Sequence, residues 1–405
     1  MPLVSLQGRT SGDTSIIALD KFILATRDSG YKGTESAVAE LVDNAVQAGA
    51  RKIMIDIVAD PDDHEHPLRV SVLDDGCGMD RRTLRQALRF GGSSRFDDRT
   101  GRGRYGMGLP NSSLSQARRV DVYSWRRPGS VLRTYLDVDE IANGDLKEVP
   151  DPLAGRLPRW AGGRPKSDTG TLVVWTRCDR LDHRRASTIA RKLFTPLGRM
   201  FRFFLWDGVE IIVNSTPVEP IDPLYLHARS ARRGGTPFGK PLEYTIEARG
   251  ADGAVNGTGR VTVTFTELPV HEWHGLPNEE KRRLGVVNGA GVSVVRAGRE
   301  VDYGWFFLDG KRRENYDDWW RCEVRFEPVL DEAFGITHTK QQVRPQDYLA
   351  EALGPDLENV AKALNGRVRQ AHLRLKATQM TAEVEKIASE RGELLAPEDR
   401  VAGMT

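Results

Sequence analysis

The sequence predicts an α+β fold in three parts: a mixed domain over residues 34–225, a second α+β domain over 226–348, and a helical C-terminal segment over 349–405, all preceded by a short N-terminal segment, 1–33. Three observations predict it. Helix-period and strand-period stretches are mixed through the first half, with neighbouring strands close enough to pair directly. Residues 228–240 hold Arg, Gly and Pro with little apolar content, which marks a boundary. The last 55 residues are charged and helical in period.

The elements follow in order. "SIIALDKFILA" reads as a short helix. In "ESAVAELVDNAVQAGA" (35–50), Val38, Leu41, Val42 and Ala45 form one helical stripe, and Gly49 is a natural stop. "KIMIDIVAD" alternates as a strand, and "LRVSVLDDG" is a second strand that pairs with it. Asp80 is placed to cap a helix through "RRTLRQALRF". A glycine-rich loop, 91–108, ends at a helix whose first turn holds Pro110. "RRVDVYSW" and "SVLRTYLDV" flank a Pro-Gly turn, and "GTLVVWTRC" is a buried strand. A helix over 184–203 carries Pro196, where a kink or break is expected. Strands "LEYTIEAR", "GRVTVTFTEL" and "AGVSVVRAGREV" belong to the second domain. In the C-terminal segment Ala361, Leu364, Val368, Ala371 and Leu375 are spaced as a coiled-coil seam or as one helix packed on its own body.

The bulk numbers bound the function. With 405 residues, 39% hydrophobic and 29% charged, the chain has the composition of a globular protein. It lacks an apolar run near the ~18 residues of a membrane span, and its start lacks a basic-then-apolar signal pattern. Three cysteines, far apart, suit reduced thiols in a cytoplasm better than disulfides. The net charge of +2 gives no global argument for nucleic acid, although "HRRASTIARK" and "HARSARRGG" are locally basic.

Four pieces carry chemistry. Glu40, Asp43, Asn44 and Gln47 form a second stripe on the 35–48 helix, acids and amides with no basic residue among them. "DDGCGMD" (74–80) ends a strand in an acid followed by Gly76 and Gly78. "GRYGMGLP" (103–110) closes the glycine-rich loop at a helix start. "GT" at 170–171 begins a strand. Each alone is ambiguous: Gly-x-Gly after a strand is usually a turn, and a polar helix stripe usually faces water. The glycine loop is not a P-loop, since no Gly-Lys-Ser/Thr follows, and it lacks the dinucleotide-fold arrangement. Glu40 and Asn44 lie one turn apart, so a carboxylate and a carboxamide oxygen reach one point, which suits a hard cation and base catalysis on water.

In order and spacing the four pieces resemble the GHKL ATPase superfamily of gyrase B subunits, heat-shock chaperones, histidine kinases and MutL-type repair proteins, nearest to its MORC and heat-shock-chaperone-like branch. The resemblance implies a Bergerat-type ATP-binding α/β sandwich followed by a transducer-like domain. It implies ATP and Mg²⁺ as ligands, with Glu40 as the general base and Asn44 as the metal ligand. Asp74 would accept from the adenine amine, Gly76, Gly78 and Met79 would lie against the base, and Thr171 would join the Asp74 network. Gly106, Met107 and Gly108 would offer N–H groups to the phosphates. Gln47 departs from relatives that carry an acid there. "FGITHTKQQVRP" (334–345) looks like the transducer loop, with Lys340 expected to reach the γ-phosphate. An ATP-dependent homodimer strapped by residues 1–33, acting on DNA or a separately encoded protein partner, is the implied assembly. A histidine kinase is disfavoured because no His-containing dimerisation helix precedes the 35–48 helix. A nucleotide-gated binding module without hydrolysis is the alternative; Glu40 argues against it.

Overall fold

The computed structural model describes residues 18–31, 33–91, 107–161, 167–250, 253–336 and 342–393. They pack as two compact units. The first draws on residues up to 197 together with 207–218, the second on 198–206 and residues from 219 onward.

The first unit is built from α1 (Leu19–Ser29), α2 (Thr34–Gln47), β1 (Lys52–Ala59), β2 (Leu68–Asp74), α3 (Arg81–Ala87), α4 (Gly108–Leu114), β3 (Arg119–Trp125), β4 (Leu132–Asp137), α5 (Val138–Ala142), β5 (Leu153–Ala154), β6 (Gly170–Thr176), most of α6 (Ala186–Met200), β7 (Glu210–Val213) and β8 (Thr216–Pro217). Its eight-stranded sheet runs β5-β4-β3-β6-β2-β1-β7-β8. Only β1 and β7 are parallel; the other neighbours are antiparallel. The register sets Asp74 opposite Thr171, and Thr171 opposite Ser124. Three strand ends therefore meet at one place, from parts of the sequence up to 97 residues apart.

The stripe Val38, Leu41, Val42 and Ala45 of α2 is buried, as its helical period predicts. Gly49, at φ +76°, follows its last turn. The start of α2 is fixed from far away. Gly33 has no side chain to cap with, and the Asp182 carboxylate accepts the Thr34 N–H at 2.8 Å while the Thr34 hydroxyl accepts the Asp182 N–H at 3.0 Å. Asp80 caps α3 as expected, accepting the Thr83 N–H at 2.8 Å.

The expected break at Pro196 is not where α6 ends. The helix continues to Met200, and a separate helix, α7 (Arg202–Trp206), follows. The carbonyl that loses its donor belongs to Lys192, an exposed residue, so water can take that bond.

The second unit adds β9 (Thr236–Pro237), β10 (Leu242–Arg249), β11 (Val255–Glu267), α8 (Val270–Trp273), α9 (Asn278–Leu284), β12 (Val292–Arg296), β13 (Arg299–Gly304), β14 (Trp320–Phe326) and α10 (Asp347–Glu393). Its sheet runs β10-β11-β14-β12-β13, with β9 paired to β11. Val261, Val263, Phe265, Trp320, Cys322 and Val324 form the core on one face with Leu349, Leu353, Leu357, Ala361 and Leu364 of α10. The seam expected over 361–375 thus packs on its own body. All three cysteines are free thiols. No described helix is long and apolar enough to cross a membrane.

Candidate functional site

The acid-and-amide stripe of α2 does not face water. Glu40 and Asp43 are buried, and Asn44 and Gln47 are half-buried. Burial of two carboxylates on one helix face costs free energy unless they are paired and hydrogen-bonded. The first residue of α4 lies directly on Glu40. A Cβ at Gly108 would overlap the Glu40 carboxylate and stand 2.8 Å from its Cδ. The end of the glycine-rich loop and the middle of α2, distant in sequence, are therefore in van der Waals contact, and a larger residue at 108 would displace the Glu40 carboxylate.

Asp74 ends β2 and is 8% exposed. Its Oδ1 accepts the Gly76 N–H at 2.8 Å, and the Thr171 N–H also donates to it. Burial nevertheless pushes its pKa up from 3.8 to about 7, with the neighbouring charge of Asp75 adding to the rise against those two hydrogen bonds. Asp75 itself is structural: its Oδ1 takes the N–H groups of Arg51 and Lys52 at 2.8 and 2.9 Å, tying the end of β2 to the start of β1.

Gly76 and Gly78 have reasons of their own. A Cβ on Gly76 would stand 2.7 Å from the Ala48 Cβ, and one on Gly78, which sits at φ +64°, would overlap the Trp125 carbonyl oxygen. These glycines let the loop fold onto α2 and β3 beside Asp74. Met79 is half-buried, and its N–H donates to Ser124 Oγ at 2.8 Å. Ser124 also lies 3.0 Å from the Gly170 carbonyl and 3.0 Å from Thr171 Oγ1. Its single proton goes to the carbonyl, which can only accept, so Thr171 donates in the third contact. Thr171 and Asp74 thus share one hydrogen-bonded corner. Ser124 was not among the expected site residues; nothing in "RVDVYSW" marks it before the strand pairing is known.

Met107 is half-buried beside Gly108. Gly106 and Lys340 lie outside the described residues, as does residues 1–17 of the N-terminal segment. Among the described residues, no cluster of three or more His, Cys, Asp or Glu has the arrangement of a metal site made by protein alone. Among the expected residues, the structure therefore groups Asp74, Gly76, Gly78, Met79 and Thr171 at the strand ends, and sets Gly108 of α4 against Glu40 of α2.

A buried helix carboxylate thus lies under the end of the glycine-rich loop, and a second buried acid ends a strand of the same unit. Residues 31–157 match the family of histidine kinase-, DNA gyrase B-, and HSP90-like ATPases, and the chain carries a domain of that family. Within it, the chain is similar to MORC proteins. It is 36% identical over 104 residues to Protein MICRORCHIDIA 6 of Arabidopsis thaliana and 39% identical over 97 residues to ATPase morc-1 of Caenorhabditis elegans. These stretches are 25% and 24% of this chain, but only 15% and 11% of the relatives' own lengths.

Proposed function

We propose that the chain is a Mg²⁺-dependent ATPase whose nucleotide site lies between α2, α4 and the ends of β2 and β6. The observation that carries this reading is the contact of Gly108 with Glu40: the loop end expected at the phosphates lies on the carboxylate expected to activate water. Asp74 accepts the adenine amine; a buried acid with only N–H partners suits a further donor. Thr171, held by Ser124, supports that contact. Met79 packs on the base, and the N–H groups of Gly106, Met107 and Gly108 meet phosphate oxygens. Glu40 orients and deprotonates the attacking water. Asn44 has the hard carboxamide oxygen that Mg²⁺ accepts, and the ion would offset phosphate charge. Lys340 is assigned the role of positive charge toward the γ-phosphate.

ATP binding then drives domain closure and homodimerisation, with the N-terminal segment as strap, and the action falls on DNA or a protein partner. The printed name of one relative, an ATPase, supports hydrolysis over binding alone. The test is nucleotide affinity of wild type beside Asp74→Asn by calorimetry. The expected loss is about 100-fold, since a charge-assisted acceptor is removed from a buried donor. Unchanged affinity would remove Asp74 from the base contact.

A further inference from the structure

Helix α10 carries two apolar stripes. The inner one, Ala361, Leu364 and Val368, is buried in the second unit, and it runs out through Leu375 into Thr378, Ala382 and Glu385. A second series begins at Leu373 and continues through Ala377, Met380, Val384 and Ile387, spaced four, three, four, three. It is displaced by two residues, about 200° around the helix. Leu373, Met380, Val384 and Ile387 are 63%, 59%, 65% and 46% exposed, and every residue from 376 to 390 is exposed. An alternation of three and four is the spacing of a helix–helix seam, and a solitary helix in water gains nothing from it.

We infer that a second copy of this chain covers this stripe, the two ends of α10 pairing antiparallel. The flanking charges choose the partner and the direction. Arg369, Lys376, Glu383 and Glu390 follow one another every seven residues along one edge of the stripe, basic first and acidic last. With Leu373 against the partner's Val384 and Ala377 against the partner's Met380, Lys376 falls beside the partner's Glu383 and Arg369 beside the partner's Glu390. Symmetry repeats both pairs, so each of these four charges meets its opposite. A parallel, in-register pair would set Arg369 beside the partner's Arg374 and leave Lys376 with only the partner's Thr381. Arg369 now reaches Glu314 at 3.1 Å and is more than half exposed, so it is available to a second acid. This contact belongs to α10 alone and does not rest on the nucleotide site. Its consequence is a nucleotide-independent tether that holds two ATPase units at high effective concentration.

The experiment is sedimentation of the full chain without nucleotide over a wide concentration range. Wild type is expected to show a monomer–dimer equilibrium. Met380→Glu combined with Val384→Glu should give monomer throughout, with an unchanged thermal midpoint of the monomer because both side chains are exposed. Lys376→Glu should weaken the dimer by about tenfold, and adding Glu383→Lys should restore it. A wild type that stays monomeric, or a dimer that survives the Met380/Val384 double substitution, overturns the interface. A Lys376→Glu dimer of wild-type strength, or no rescue by the second swap, overturns the antiparallel pairing.

Discussion

Glu300 and Glu323 in the second unit and Asp74 in the first are all buried carboxylates on sheet strands, and they are stabilised by different means. Glu323 accepts from Arg202 and Arg325, and Glu300 from Arg199, from Arg202 at 3.2 Å and from the Ser293 hydroxyl at 2.6 Å. Arg202 is fully buried between the two acids. Around Asp74 there are N–H groups, and the nearby charge that acts on it is another acid, Asp75. A carboxylate ringed by guanidinium groups is finished as a piece of structure. One raised to a pKa of about 7 by burial is in an environment that an incoming donor can improve. The difference separates carboxylates completed by the guanidinium groups of their own fold from one whose hydrogen bonds do not offset its burial.

The comparison can be broken most strongly from the structural side. Glu323→Ala leaves Arg202 buried with half its charge unanswered, and should lower the stability of the second unit by about 3–5 kcal/mol in denaturant unfolding. A loss below about 1 kcal/mol would mean that the cluster is dispensable. Asp74→Asn should act in the opposite direction. The folded pKa of Asp74 lies above its unfolded value of 3.8, so its contribution to stability is fully present below 3.8 and lost as pH rises through about 7. Above that pH the ionised buried group is a cost, and its removal should stabilise the nucleotide-free protein by about 1–3 kcal/mol at alkaline pH, with the gap closing towards about pH 5. A variant destabilised at every pH would make Asp74 structural, like Glu323. The third effect is smaller. An amine donor favours the ionised carboxylate, so wild-type nucleotide affinity should fall by up to about tenfold per pH unit below about 7, and Asp74→Asn should not show that slope. A flat profile for wild type would place the titrating group elsewhere.

Much of this was legible in the sequence, for a local reason. The stripes of α2, the alternation of β1 and β2, the Asp80 cap and the order of the four motifs are all written in short-range spacing. The match to the ATPase family over residues 31–157 spans the first three motifs but not Gly170–Thr171. What escaped depends on pairing across the chain. Asp182 caps α2 from 148 residues away, and Ser124 joins Met79 to Thr171 only because β3 lies beside β6. Arg202 reads as one more basic residue at the end of a helix; its burial against Glu300 and Glu323 follows from tertiary packing alone. The glycines at 76 and 78 were legible as special, but the neighbours that demand them, Ala48 and Trp125, were not.

The central claim is that Glu40 is placed against the loop end to activate water. Steady-state Mg²⁺-dependent ATP hydrolysis by wild type and Glu40→Ala, with nucleotide binding measured on the same samples, tests it most directly. The account predicts that both proteins bind nucleotide and that Glu40→Ala hydrolyses it at least about 100-fold more slowly. Equal hydrolysis by the two proteins would contradict it.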